Sequence, residues 1–256
     1  MLKGIDHLVV LVSDLDAAGQ DFAALGFHVV PGGKHGSGTQ NMLIPLADGC
    51  YIELIAFHEE NTQHRWWHWL ESGGGLIDYC MITDDLDADR AAFASAGVAI
   101  GAPYPLTRIR PDGFKLDWVI AVPEEPRASG APFLIRDHTP RAERVPAAPH
   151  HPNGATGVAS LVVAVDDLEA VRRWTGAMAG VGLAQIDRPD LDASGLRMTA
   201  GPNVFDHLKP AGGKGELAQA LAERGPGPYA ISLSGVGAEV RFDPALTQGV
   251  RIGAAP

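Results

Sequence analysis

Cysteine is almost missing from this 256-residue chain: Cys50 and Cys80 are the only two, and neither lies in a paired metal-binding or redox spacing. That excludes a disulfide framework and a cysteine-built zinc site, and leaves both thiols as small core residues. Positive charge is also short. The 20 Lys and Arg stand against 31 Asp and Glu, a formal net charge of −11 with a pI near 5.3. A chain without a basic face is a poor partner for a phosphate backbone, so nucleic acid is set aside. No apolar run approaches the roughly 20 residues of a membrane span, and an Asp and a His interrupt the segment Met1 to His7 where a signal core would be apolar. A cytoplasmic protein is expected. Three nucleotide and hydrolase signatures are missing too: the Gly-x-Ser-x-Gly elbow, the Walker loop and the dinucleotide glycine fingerprint. Their absence removes support for serine hydrolase, nucleotide hydrolase and Rossmann readings.

What the chain does have is a repeat. The phrase from Gly4 to Asp16, GIDHLVVLVSDLD, returns in degraded form from Gly75 to Asp87 and from Gly157 to Glu169. Each copy is an apolar strand followed at once by a helix start, and such self-similarity marks a modular fold. Aligning Asp14 with Asp85 and Asp167 places His7 opposite Asp78 and Ser160. Ser13 or Asp14 can cap the first helix, and Leu15, Ala18, Phe22 and Leu25 recur at helical spacing up to Gly26. Three strands are expected next, near residues 27–30, 39–45 and 50–57, with glycine-containing turns between them. The second copy repeats the order, with Pro111-Asp112-Gly113 as a strong turn signal.

The sequence therefore reads as an α+β fold of repeated β-α-β-β-β modules, paired into a curled mixed-sheet cup. Residues 1–145 form a first domain of two modules, and residues 154–256 a second half whose last module is degenerate. The stretch 140–154, rich in Pro, Ala and His, reads as a linker, and His138, His150 and His151 are assigned to it rather than to a site. The insertion from His64 to Leu70 carries Trp66, Trp67 and Trp69, three of the five tryptophans, and reads as a short helix that lids or plugs the first domain.

Several polar residues fall inside strand patterns. His7 lies on a strand whose alternation groups it with Ile5, Val9 and Leu11. Glu53 interrupts the run Tyr51 to Ile55, and a carboxylate is seldom buried without a partner. Asp78 lies between Ile77 and Tyr79, an unfavourable strand position for a carboxylate. A metal bound by His7 and Glu53 and a metal-free hydrogen-bonded His7–Glu53 pair both fit this pattern. For Asp78 the alternative is an ion pair with a nearby arginine. Arg108 and Arg110 share strand parity and can clamp an oxyanion, or form salt bridges with Asp112 or Asp117 at a solvated edge. His35, Asn41 and Trp118 are candidate pocket wall. His207 has no matched partner, because Ser160 fills the first-strand position of its module. The second half is therefore expected to serve structure or dimerisation.

The segments Ile5 to Val9, Tyr51 to Ile55, Thr107 to Gly113, Pro132 to Ile135 and His151 to Gly154 resemble the vicinal oxygen chelate superfamily, in particular its glyoxalase-like branch. The resemblance covers most of residues 1–210. It implies a cup made by two modules and a divalent metal inside it, zinc, manganese, nickel or iron, bound by the first and last strands of each module. Carried over, it nominates His7, Glu53 and Asp78 as ligands, Glu53 also as general base, and Arg108 or Arg110 as anion clamps. Sliding Pro132–Arg136 along the first module puts Arg136 on the Glu53 position. A guanidinium cannot ligate, so the metal keeps three protein ligands, or Arg136 points outward, or the site is metal-free with Arg136 as a substrate contact. The implied activity is a metal-dependent lyase, isomerase or dioxygenase acting on a small oxygen-rich metabolite through an enediolate or related oxyanion. The alternative is a metal-free protein that sequesters a drug or aromatic metabolite, and a homodimer is compatible with either.

Overall fold

A computed structural model describes residues 2–124, 130–178, 180–237 and 240–254. The first module runs β1 (Leu2–Leu11), α1 (Leu15–Ala24), β2 (Val30–His35), β3 (Thr39–Pro45) and β4 (Tyr51–Phe57). The second runs β5 (Gly75–Thr83), α2 (Leu86–Ser95), β6 (Tyr104–Ile109), β7 (Lys115–Ala121) and β8 (Phe133–Asp137). These eight strands close into one barrel in the order β1-β4-β3-β2-β6-β7-β8-β5. Two antiparallel seams join the modules within one chain, β1 with β5 and β2 with β6.

A helical turn, α3 (Arg141–Arg144), leads to the third module. That module comprises β9 (Gly157–Ala164), α4 (Leu168–Ala177), β10 (Gly182–Arg188), β11 (Ala193–Ala200) and β12 (Asn203–Pro210). Then follow α5 (Glu216–Arg224), β13 (Gly227–Ser234) and β14 (Arg251–Ala254). The second sheet has the order β10-β11-β12-β9-β13-β14. It matches the barrel with the counterparts of β6 and β7 left out, so it stays open. Its concave face is not empty: Leu217 of α5 packs there with Val162, Ala164, Leu208 and Tyr229. No helix is long and apolar enough to cross a membrane among the described residues.

The repeated aspartate has one local job in all three copies. Asp14, Asp85 and Asp167 each accept a backbone N–H from the residue three positions on, at 3.0 Å, and so cap α1, α2 and α4. The strand before it carries a shared irregularity as well. Where β1 meets β5 the register skips Asp6 and Ile77, and where β9 meets β13 it skips Ala159 and Tyr229. A bulge one residue before the His7 position therefore recurs in every copy. Its effect in β1 is to break the expected alternation: Ile5 joins Leu8 and Val10 in the outer core, while Val9 and Leu11 face the barrel interior.

The two sheets share one core between them. Tyr79 packs on Phe205, and Phe93 of α2 stacks on Trp174 of α4 at 5.4 Å. His151, assigned to a linker from sequence, is buried and pinned on both ring nitrogens: Nδ1 accepts from the His28 backbone N–H at 2.9 Å, and Nε2 lies 2.8 Å from the Pro45 carbonyl.

The same stretch delivers Arg144, which is 2% exposed. It donates to both Asp6 oxygens at 2.8 and 2.9 Å, to Asp137 and to the Tyr51 hydroxyl at 2.9 Å. Arg141 adds a second ion pair to Asp6. Removing one partner of such a cluster leaves buried charge uncompensated. Arg144→Met should therefore lower stability by about 3–5 kcal/mol in urea denaturation, whereas a loss below 1 kcal/mol would show the cluster to be dispensable.

His207 is also fully buried. It packs edge-on against Trp174, and among the described residues neither of its ring nitrogens has a partner. Burial pushes its imidazole down to about 4, against a small opposing pull from Asp206. The unfolded chain thus binds the extra proton first, so stability present above pH 6.5 is lost as pH falls toward 4. Over that window His207 contributes an acid sensitivity of about 3 kcal/mol. His207→Leu should flatten the acid limb of the stability profile by that amount, and parallel profiles for variant and wild type would refute the assignment.

Candidate functional site

The barrel interior holds a cavity of about 380 Å³. Much of its lining comes from β1 with His7, β4 with Tyr51, Glu53 and Ile55, β6 with Leu106 and Arg108, β8 with Phe133 and Ile135, and the segment Arg65–Trp66. His35 and Trp118 add to the wall. Alternation along each strand sends these residues inward, and the bulge at Asp6 brings two consecutive polar residues, Asp6 and His7, to the interior side.

Three lone-pair-bearing groups converge there. His7 Nε2 lies 3.5 Å from Glu53 Oε2, and His35 Nε2 lies 4.0 Å from Glu53 Oε1. Each group is held from behind by one partner. His7 Nδ1 sits 2.6 Å from Asp6 Oδ1, Asn41 donates to Glu53 Oε1 at 2.5 Å, and His35 Nδ1 is 2.8 Å from the Thr39 hydroxyl. Asp6, gripped by two guanidinium groups, can only accept, so His7 Nδ1 carries the proton and Nε2 offers its lone pair to the cavity.

Burial, reinforced by Arg144 and Arg65 and opposed by Glu53 and Asp78, pushes the His7 imidazole down to about 4. Burial does the same to His35, with Glu53 opposing. Both are therefore neutral near pH 7. Burial alone would raise the Glu53 carboxyl, but His7, His35, the Asn41 amide and Arg108 outweigh it and hold it below its ordinary value. Two neutral imidazoles and one carboxylate, each backed by an orienting hydrogen bond, suit a divalent ion such as zinc, iron, nickel or manganese.

Another group of potential ligand atoms, those of Asp6, His7 and Cys80, lies within 4.8 Å. That trio is a poor cation site. Both Asp6 oxygens are already committed to arginines, and burial raises the Cys80 thiol well above its usual value, so it stays protonated.

The second module's half of the cup is built differently. Asp78 occupies the position matched to His7, but its carboxylate is engaged by Arg65 at 2.6 Å and by the Trp66 indole N–H at 3.0 Å. The Arg65 guanidinium lies over the Trp66 and Phe133 rings at 4.3 and 4.6 Å. The ion pair that sequence offered as the alternative for Asp78 is therefore present.

The Glu53 position falls on Phe133 and not on Arg136, because Val9 pairs with Glu53 while its counterpart Cys80 pairs with Phe133. Arg136 lies on the opposite parity from Phe133 and Ile135, away from the cavity. A five-residue strand of mostly apolar residues carries no internal marker of register, which is why sliding the sequences misplaced it.

Of the two candidate clamps, Arg108 lines the cavity and Arg110 does not. Arg110 sits beyond the end of β6, ion-paired to Asp112 and Glu143. Asn41 stands behind Glu53 rather than in the wall. Trp66 alone of the three clustered tryptophans enters the cavity. Trp67 packs on Phe57, and Trp69 stacks under Arg224.

Sequence reasoning passed over Asp6, Tyr51, Arg65 and Arg144. The Pro140-Arg-Ala-Glu-Arg144 segment did carry a signal: a proline ahead of two arginines at i, i+3 is a helical turn that presents both on one side.

The glyoxalase-like domain model matches residues 5–178. No curated protein matches the chain. Among solved structures, a hypothetical protein from Staphylococcus aureus superposes with a TM-score of 0.69 at 13% identity, over 98% of each chain. A mutant of 4-hydroxymandelate synthase from Streptomyces coelicolor gives 0.58 at 14% identity, over 91% of this chain and 71% of that one. A fusion of a xylose isomerase-like TIM barrel with a 4-hydroxyphenylpyruvate dioxygenase gives 0.53 at 15% identity, over 91% of this chain and 36% of that one. At these identities the likeness is one of fold, and the superfamily resemblance read from sequence holds at that level. With a family match over more than half its length, the chain belongs to the glyoxalase-like domain family.

Proposed function

We propose that the barrel cavity is the active site of a divalent-metal-dependent enzyme acting on a small oxygen-rich metabolite, as a lyase, isomerase or dioxygenase. The observation that carries this reading is the convergence of His7, His35 and Glu53 on one space, with the lone pair of His7 Nε2 turned toward the Glu53 carboxylate. The His7 lone pair and the Glu53 carboxylate, 3.5 Å apart, repel unless something positive lies between them, and Asp6 and Asn41 hold them in that arrangement, with Thr39 positioning His35 beside them.

A bound cation would supply Lewis-acid polarisation of a substrate oxygen. The chain itself does the rest. Glu53, kept ionised, is the group placed to take a proton from a substrate carbon or hydroxyl. Arg108 faces the same space as a fixed positive charge for a developing oxyanion. Leu106, Trp118, Ile120, Phe133 and Ile135 make an apolar wall that excludes water and strengthens these interactions.

A second reading, metal-free binding and sequestration, is favoured by Phe133 in the position matched to Glu53 and by Arg65 already neutralising Asp78.

One experiment separates the two. Tag-free protein is incubated with manganese, iron, nickel and zinc in turn, desalted and analysed for metal. The expected result is close to one equivalent of one metal, lost in His7→Ala and Glu53→Gln and retained in Asp78→Asn. No retained metal in the wild type with any of the four would discard the metal mechanism in favour of sequestration.

A further inference from the structure

Among the buried arginines, Arg108 stands apart. Arg144 is neutralised by Asp6 and Asp137, and Arg65 reaches Asp78. Arg108 is 2% exposed and, among the described residues, has no carboxylate within ion-pairing distance. Its Nη2 donates to the Arg144 carbonyl at 2.6 Å, and its sealed-off Nε has no partner among the described residues. A buried guanidinium that lines a cavity without a paired carboxylate is a site that wants an anion.

The surroundings narrow that anion. Glu53 shares the cavity, so a dianion would meet like charge, whereas a single carboxylate matches a single guanidinium. One part of the wall, Leu106, Trp118, Ile120, Phe133 and Ile135, offers continuous aromatic and branched surface, while Ser37, Asn61, Gln63 and His64 also line the cavity. His35 is the cross-strand neighbour of Arg108 at the module seam. An acid held by Arg108 therefore lies beside the His7, His35 and Glu53 cluster.

We propose that the cavity selects a small aromatic monocarboxylic acid, its carboxylate on Arg108 and its ring among Trp118, Ile120 and Phe133. The proposal rests on the cavity being the substrate site, and it requires no metal.

Calorimetric titration with four probes tests it: phenylacetate, its neutral analogue phenylacetamide, acetate, and phenyl phosphate. Each is run on chelator-treated and on zinc-loaded protein. Phenylacetate should bind at least tenfold more tightly than phenylacetamide, acetate or phenyl phosphate. Arg108→Gln should reduce the acid-over-amide preference to less than twofold, and Arg108→Lys should fall between. Arg110→Gln, a rim charge outside the cavity, should leave the preference unchanged. Far-UV circular dichroism and Tm confirm that each variant is folded.

Equal binding of acid and amide by the wild type, no detectable binding of any probe, or tighter binding of phenyl phosphate would overturn the assignment. An acid preference that appears only with zinc and survives Arg108→Gln would put the carboxylate on the cation and overturn it as well. A preference that persists in chelated protein, and that Arg108→Gln removes, upholds it even where metal analysis is negative, so the two readings fail separately.

Discussion

The buried cluster of Asp6, Arg144 and Asp137 is the interaction on which the cup depends. Asp6 comes from the bulge of β1, Asp137 from the end of β8, and Arg144 from the turn that leaves the barrel, so one guanidinium ties three separate segments together. Two buried carboxylates around one arginine would be costly by themselves, but Arg141 supplies a second positive charge to Asp6. The cluster reaches the chemistry in two directions. Asp6 sets the tautomer of His7, and the Arg144 carbonyl holds Arg108 in place. The neutral His7 imidazole and the Arg108 guanidinium are therefore both positioned by this one cluster.

The modules show how one backbone plan supports different interiors. The position of His7 is taken by Asp78, Ser160 and Ala230 in the other copies, and that of Glu53 by Phe133, Asp206 and Gly253, as the shared bulge and the strand registers dictate. The first copy keeps two potential ligands. The second keeps one acid and cancels it with Arg65. In the third, Asp206 is bound by Arg188 and Arg197 beneath a concave face that α5 fills. Asp78 and Asp206 have each acquired arginines and Glu53 the amide donor of Asn41, as expected where an unpaired buried carboxylate is expensive. The open sheet is thus a cup already filled from within its own chain, and its packing against the outer faces of β1 and β5 buries surface the barrel would otherwise expose.

Much of this was legible in the residues. The Asp-Leu-Asp repeat fixed the helix starts because an N-cap is a local requirement that three or four residues satisfy. Strand positions of His7, Glu53 and Asp78 could be ranked because carboxylates and imidazoles in aliphatic runs need partners. What failed to show was long-range and register-dependent. The bulge at Asp6 inverts the parity of Ile5 without any marker in the sequence, and Arg136 was matched to Glu53 because neighbouring residues in a short aliphatic strand are interchangeable by composition. Arg65 lies in an insertion that the repeat does not cover, so no alignment of copies could place it. Arg144 sits in a stretch whose proline and alanine content suggests a linker, while its burial comes from partners more than 90 residues away.

The charges inside the barrel also tie the two halves of the cup to one another. With Asp78 neutralised by Arg65 and Glu53 faced by two uncharged imidazoles, the interior keeps one unmatched anion and, at Arg108, one unmatched cation. They belong to different strands and are not ion-paired to one another. Had they been paired, the cavity would be electrostatically finished and inert, like the filled concave face of the second sheet. Kept apart, each can act on a separate part of one ligand: a negative group at Arg108, and an electrophilic or proton-bearing centre at Glu53. Restoring a ligand at Phe133 would compete with this division, because a second carboxylate would draw Arg65 away from Asp78 and place two acids beside the apolar wall. Phe133 in place of a carboxylate and the separation of Glu53 from Arg108 thus belong to one charge distribution.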